Sequence, residues 1–340
     1  MAASAWVVAP PEDGAHELAA ALGLHALTAT LLRRRGVRTA DEALRFLRPR
    51  LEDLTDPCAL DGMDQAIERV ALALAAGQRI AIHGDYDVDG ISATAILLRG
   101  LRALGADPRW YLPHRFHDGY GLGRPAVEAL AGAGAELLIT VDCGIGAVET
   151  VARARALGLD VVILDHHTPP EVQPDAMIVA PGPPEGAAPL CAAGLAFAFM
   201  RAVRRRLAVH PAAQPGLVSL AALGTVADVV PLLSDNRRLA AAGLEEMSAA
   251  PLAGIQALAD VAGIAGTITP RHIGWHLGPR LNAPGRLGDP SPALQLLVSD
   301  DPGECRALAE QLDAINRERQ EILERTLAEA TVQADDDPSA

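Results

Sequence analysis

Lysine is absent from this chain, so all 29 basic residues are arginine. Arginine forks onto carboxylate and phosphate where lysine offers only a point charge. A formal charge of −14 argues against a surface that attracts nucleic acid as a whole, yet it leaves room for a local, arginine-lined phosphate groove. Aromatic residues make up only 3% while half of the chain is hydrophobic, a balance that suits an α/β core packed with Ala, Leu and Val. Cys58, Cys143, Cys191 and Cys305 lie far apart and form no CxxC pair. That spacing excludes a disulfide framework and a zinc finger, and fits a reducing compartment. No uninterrupted apolar run reaches the roughly 18 residues of a membrane span. Met1 to Pro11 lacks a basic stretch followed by an apolar one, so no secretory leader is expected and a cytoplasmic location is. There is no internal repeat.

What is present divides by period. Residues 1–75 carry helical patterns, His16–Leu32 and Thr39–Leu47 among them, and read as a helical lead-in wrapped on the main domain. From Arg79 strands and helices alternate. Strands are expected at 79–83, 109–112, 136–141, 160–164 and 176–179, with helices at 91–104, 124–133 and 146–157. Such βαβα alternation implies a parallel, doubly wound sheet. Residues 181–189, rich in Pro and Gly, mark a loop. Helices follow at 190–207, 214–228, 235–247, 251–262, 270–277 and 290–298. A long amphipathic pattern then runs from Glu304 to Ala330, with Leu308, Leu312, Ile315, Ile322, Leu323 and Leu327 on one face. The expected division is a lead-in at 1–75, a main domain at 76–298, a connector helix at 301–332 and a disordered tail at 333–340.

The chemistry sits where strands end. Beyond the first strand come His83, Asp85, Asp87 and Asp89, spaced H-x-x-x-D-x-D for His83, Asp87 and Asp89. Asp142 follows the third strand, and Asp165, His166 and His167 follow the fourth. In an open parallel sheet ligands gather beyond the carboxyl ends of the strands, so these groups should converge. Asp228 is a lone carboxylate in the apolar run Gly224–Pro231, and burying it unpaired would be costly. Each part alone has a bland reading: Asp residues cap helices, and a buried His pair is usually structural. Together, so many carboxylates repel one another unless a cation sits among them. Oxygen and imidazole donors without thiolate favour Mn²⁺ or Mg²⁺ over structural zinc. A site of this kind can hold two ions about 3.5–4 Å apart for phosphoryl displacement.

These residues resemble the four motifs of the DHH phosphoesterase superfamily, and within it the RecJ family of 5′→3′ exonucleases acting on single-stranded DNA. The likeness extends to Arg35-Gly36, Phe46–Pro49, Pro113–Leu122, Gly224–Leu232 and Pro279–Pro290, covering roughly residues 30–330. The resemblance implies that His83, Asp87, Asp89, Asp142, His166 and Asp228 ligate two Mn²⁺ or Mg²⁺ ions, with Asp142 bridging. It implies that Asp165 orients an imidazole, that His167 contacts the scissile phosphate, and that Asp85 supports the ligands or caps a helix. Arg115 would contact phosphate. Arg280, Asn282 and Arg286, read as part of a Gly/Pro-punctuated turn, would grip a DNA backbone. The implied partners are single-stranded DNA, with a single-strand-binding protein or a helicase beside it. Family members continue past the long helix into a second half bearing Gly-Gly-His and an OB-fold. This sequence contains no Gly-Gly-His, so the connector is expected to expose an apolar stripe. Two other readings remain open: a phosphodiesterase of short oligonucleotides or cyclic dinucleotides, and a non-catalytic scaffold.

Overall fold

A computed structural model describes residues 12–179, 188–209 and 216–336. The chain divides into two compact units, Met1–Asp53 and Leu54–Ala340. In the first, the described residues form three α-helices, α1 (Ala15–Leu22), α2 (Ala26–Arg34) and α3 (Ala40–Leu47), and a short 3-10 turn at Leu51–Asp53. Gly23, with φ 63°, ends α1, so the pattern expected to run unbroken from His16 to Leu32 is two helices. Thr39 and Glu42 close a capping box at the start of α3. Leu18, Ala29, Leu32 and Ala43 make this unit's own core. The lead-in expected over 1–75 is therefore shorter, because residues 54–75 belong to the larger unit. There α4 (Met63–Ala75) buries Met63, Ala66, Ile67 and Val70.

The larger unit is built on five parallel strands: β1 (Ile80–Gly84), β2 (Arg109–Tyr111), β3 (Leu137–Val141), β4 (Asp160–Leu164) and β5 (Met177–Val179). Their order is β2-β1-β3-β4-β5, so the winding reverses between β1 and β3. Every residue of β1 and β3 is buried, the mark of strands covered on both faces. Alternation assigns the faces. Ala81, Leu138, Val161 and Ile163 pack with Val127 and Leu130 of α6 (Arg124–Gly132) and Val151 and Ala154 of α7 (Val148–Ala156). Facing the opposite side, Ile80, Ile82, Leu137, Ile139, Val162 and Leu164 meet α5 (Val88–Arg102) and α8 (Ala192–Arg206). The doubly wound sheet read from the sequence is thus the observed fold.

Helices complete the unit: α9 (Leu217–Ala227), α10 (Ser234–Ala249) and α11 (Ala253–Val261). Next come α12 (Pro270–His272), a π-helical turn at Ile273–Leu277 and α13 (Gly278–Leu287), with no break between them. Residues 280–286, expected to form a turn, are therefore helical. Pro279 stands just after the junction of the π-helical turn with α13, and Pro284 is accommodated inside α13. After α14 (Ser291–Val298), α15 runs from Pro302 to Asp336. Its start is buried at Cys305, Ala309 and Leu312, whereas Leu323, Leu327 and Val332 are exposed, giving the apolar stripe expected of the connector. The helix continues past 333, where a tail was expected; residues 337–340 lie outside the described residues, as do residues 181–187 of the loop expected at 181–189. No described helix is long and apolar enough to cross a membrane.

Candidate metal centre

The acidic residues converge beyond the carboxyl ends of β1, β3 and β4, at the reversal point where open parallel sheets bind ligands. β1 hands over to α5 through Asp85, Tyr86 and Asp87. Helix α5 starts three residues earlier than the sequence pattern suggested, because Asp87 caps it: its Oδ1 accepts from the Asp89 and Gly90 N–H groups at 3.0 and 3.1 Å. The bland reading of this aspartate is true, and it does not exclude the other. Asp89 falls in the first turn, fully enclosed. Its Oδ2 accepts from Ala192 N–H at 2.6 Å and its Oδ1 from Ala193 N–H at 2.9 Å, so it also caps the N-terminus of α8.

Asp142 adopts φ 62°, a left-handed conformation that Asp tolerates better than most residues. Its N–H donates to Leu164 O at 3.0 Å, tying the end of β3 to β4. Asp228 is the C-cap of α9, and the next residue, Val229, is held at φ 59° although β-branched. Such backbone strain is tolerated only where the surroundings fix it. His166 Nε2 then lies 3.1 Å from Asp142 Oδ1, 3.7 Å from Asp89 Oδ2 and 3.9 Å from Asp228 Oδ2.

Three sets of donor atoms each fall within 4.8 Å of one another: Asp142, His166 and His167; Asp89, His166 and Asp228; Asp85, Asp87 and Asp142. Asp142 and His166 each belong to two sets. Burial and mutual repulsion raise the carboxyls. Asp89 is pushed up to about 7 by burial and by Asp228, Asp85 to about 7 chiefly by burial, and Asp142 well above its ordinary value by burial and by Asp89. Asp228 is raised by burial as well. Such a cluster is at odds with itself as an all-anionic site, and a divalent cation resolves the conflict. Asp85 Oδ1 and His83 Nε2 are buried without a hydrogen-bond partner among the described residues, a further sign of a missing ligand. The residues present fit Mn²⁺ or Mg²⁺.

Of the sequence-derived candidates, His83 alone among the ligands lies outside the three sets. It is fully buried, stacked on Tyr111 at 5.7 Å, and burial lowers its pKa to about 4, leaving it neutral. Asp165 is hydrogen-bonded to the His167 imidazole: its Oδ1 accepts from His167 Nδ1 at 2.7 Å and from the His167 N–H at 3.2 Å. Ile145 N–H donates to its Oδ2 at 3.0 Å. Burial alone would raise the Asp165 carboxyl, but these hydrogen bonds outweigh it and leave it lowered. The same bond from Asp165 raises His167.

Arg115 is exposed and lies 4.6 Å over the Tyr86 ring, at the rim of the cluster. Arg280 is paired with Asp313 of α15, Nε at 3.0 Å and Nη2 at 2.9 Å. Asn282 Oδ1 accepts from Val88 N–H at 3.0 Å, and Arg286 is exposed on α13. Sequence reasoning missed two residues. Tyr120 Oη is 3.3 Å from His167 Nε2, and its flanking glycines, both at positive φ, were the available signal. Cys143 Sγ is 3.4 Å from His83 Nδ1; its place directly after Asp142 was a hint, outweighed by the reading of a small buried residue.

Comparison with known proteins agrees with this fold. Residues 79–225 match the family described as DHH family, N-terminal domain. The chain is 38% identical over 326 residues to the single-stranded-DNA-specific exonuclease RecJ of Bacillus subtilis, covering 94% of this chain and 41% of that relative. The chain thus spans less than half the length of that protein. A crystal structure of RecJ with Mn²⁺ from Thermus thermophilus superposes with a TM-score of 0.84 at 35% identity, over 97% of this chain and 47% of the other. A second crystal structure, of an exonuclease RecJ bound to manganese, gives a TM-score of 0.75 at 39% identity, over 83% of this chain and 71% of the other. The chain belongs to the RecJ group of the DHH family.

Proposed function

We propose that this chain carries a two-metal phosphodiesterase centre that removes nucleotides from the 5′ end of single-stranded DNA. The observation that supports it is the convergence of Asp85, Asp87, Asp89, Asp142, His166 and Asp228 within overlapping donor sets. Asp142, common to two of those sets, would bridge two ions. Asp87 would serve one of them, and Asp89, His166 and Asp228 the other. His83 would join with its unpartnered Nε2, and Asp85 would support the ligands from beside Asp87. Bound Mn²⁺ or Mg²⁺ would offset the carboxylate charge, polarise the phosphodiester and lower the pKa of water.

The protein's own groups then have distinct tasks. Asp165 takes the Nδ1 hydrogen of His167, so Nε2 is left to face the substrate beside Tyr120. With its pKa raised, this imidazole carries a proton readily and can hold a phosphate oxygen. Arg115, resting on Tyr86, presents a guanidinium to the DNA backbone, and exposed Arg286 extends the track; such contacts grip phosphate without reading bases. Work in DNA repair and recombination, beside a single-strand-binding protein or a helicase in the cytoplasm, belongs to the same reading.

The test is Mn²⁺-dependent digestion of a 5′-phosphorylated single strand labelled at its 3′ end, with a duplex and a dinucleotide alongside. Stepwise shortening of the single strand, abolished by Asp142→Ala, is the expected result. Cleavage of the dinucleotide alone would move the assignment to small nucleotides, and equal activity of Asp142→Ala would sink it.

A further inference from the structure

The segment Pro279–Pro290 was read from the sequence as a grip on DNA, but two of its polar side chains are turned to the protein. The first turn of α5 is enclosed: Val88, Asp89 and Gly90 are all buried. Its N–H groups have no helical partners of their own and need acceptors. The Asp87 side chain supplies one for Asp89 and Gly90, and Ile91 N–H makes the helix's first internal bond, to Asp87 O at 2.8 Å. Val88 N–H is taken by Asn282 Oδ1 at 3.0 Å, from 194 residues away.

Helix α13 is itself held firmly against the loop that carries Asp85 and Asp87. A Cβ added at Gly285 would lie 2.7 Å from Tyr86 O, so the two backbones touch directly. Leu281 and Ala283 are fully buried, and Arg280 is tied to Asp313 of α15. We infer that Asn282 is a positioning residue for the metal centre: by accepting from Val88 N–H it fixes the first turn of α5, and with it the carboxylates of Asp87 and Asp89. This rests on the metal-dependent reading proposed above, and it moves Asn282 from the DNA track to the support of the ligands.

The experiment titrates Mn²⁺ by calorimetry into the wild-type chain, Asn282→Ala and Asn282→Asp, with circular dichroism melts of each. Binding of a labelled single strand in chelator is measured in parallel. Asn282→Ala should weaken Mn²⁺ binding by about 10- to 100-fold, the usual cost of removing a support behind a metal ligand. Asn282→Asp, which keeps the acceptor oxygen, should restore most of it, and strand binding in chelator should not change. Should the alanine variant fail to fold, Gly285→Ala reaches the same loop by another route and should also weaken Mn²⁺. Unchanged Mn²⁺ affinity in a folded Asn282→Ala, or an aspartate variant as weak as alanine, overturns the inference. So does strand binding lost while Mn²⁺ binding holds, which would return Asn282 to the DNA. A wild-type chain that takes up no Mn²⁺ overturns the proposed function as well.

Discussion

Gly224 lies in the middle of α9, and its replacement by Ala sets two effects against each other. In a solvent-facing helix the change would gain about 1 kcal/mol from backbone propensity. Here a Cβ would fall 2.5 Å from Asp89 Oδ1 and 2.5 Å from Ala193 Cβ, distances at which something must move. Asp89 is enclosed and fixed by Ala192 and Ala193, so displacing it loses a charge-assisted hydrogen bond, roughly 1.5–3 kcal/mol. Overpacking against Ala193 adds about 1–3 kcal/mol. The net expectation is a destabilisation of roughly 1.5–5 kcal/mol, a large share of a typical stability of about 5–15 kcal/mol. Urea unfolding of the metal-free protein reads the first quantity, and Mn²⁺ titration of the folded variant reads the second, a loss of affinity through Asp89. A Gly224→Ala protein as stable as the wild type or more so, with Mn²⁺ binding intact, would refute the packing of α9 against this carboxylate.

Other outcomes follow from the same geometry. Asp85 and Asp89 are raised to about 7 in the folded chain from about 4 unfolded. The folded state therefore holds extra protons between these values. Metal-free stability should fall as pH rises from about 4 to about 7, and the thermal shift produced by Mn²⁺ should grow over that window. Asp165→Asn should lower the His167 pKa, followed by NMR titration of the ring. The stability that His167 gains from Asp165 is present below the ordinary imidazole pKa and fades as pH rises through the raised one. Arg280→Met should destabilise by about 1–3 kcal/mol, less than for a wholly unpaired buried charge, because Arg317 also binds Asp313. Asp313→Leu on top of it should recover part of that loss.

The sheet was legible because its strands are apolar runs ending in charge. β3 and β4 each give way abruptly to Asp, and that pattern located the site as well as the fold. Helix starts were less legible: α5 begins at Val88 with Asp87 as its local cap, and the acceptor for Val88 N–H comes from a residue 194 positions away, which no local signal shows. The helical state of 280–286 was hidden for a related reason. Pro284 and Gly285 argue for a turn locally, while close approach to Tyr86 and the Asp313 pair favour a helix. Arg280 and Asn282 were conspicuous as polar residues, but their partners lie on α15 and α5, and no spacing rule reveals a partner. The ligand aspartates were readable for the opposite reason, since clustered carboxylates need a cation whatever their exact fold.

The count of bound metal ions bears most directly on the central claim. Calorimetry and electron paramagnetic resonance of the wild-type chain with Mn²⁺ should report two ions per chain, magnetically coupled through a shared carboxylate. Asp142→Ala should lose the coupling. One isolated ion, or none, in a folded protein would contradict the account.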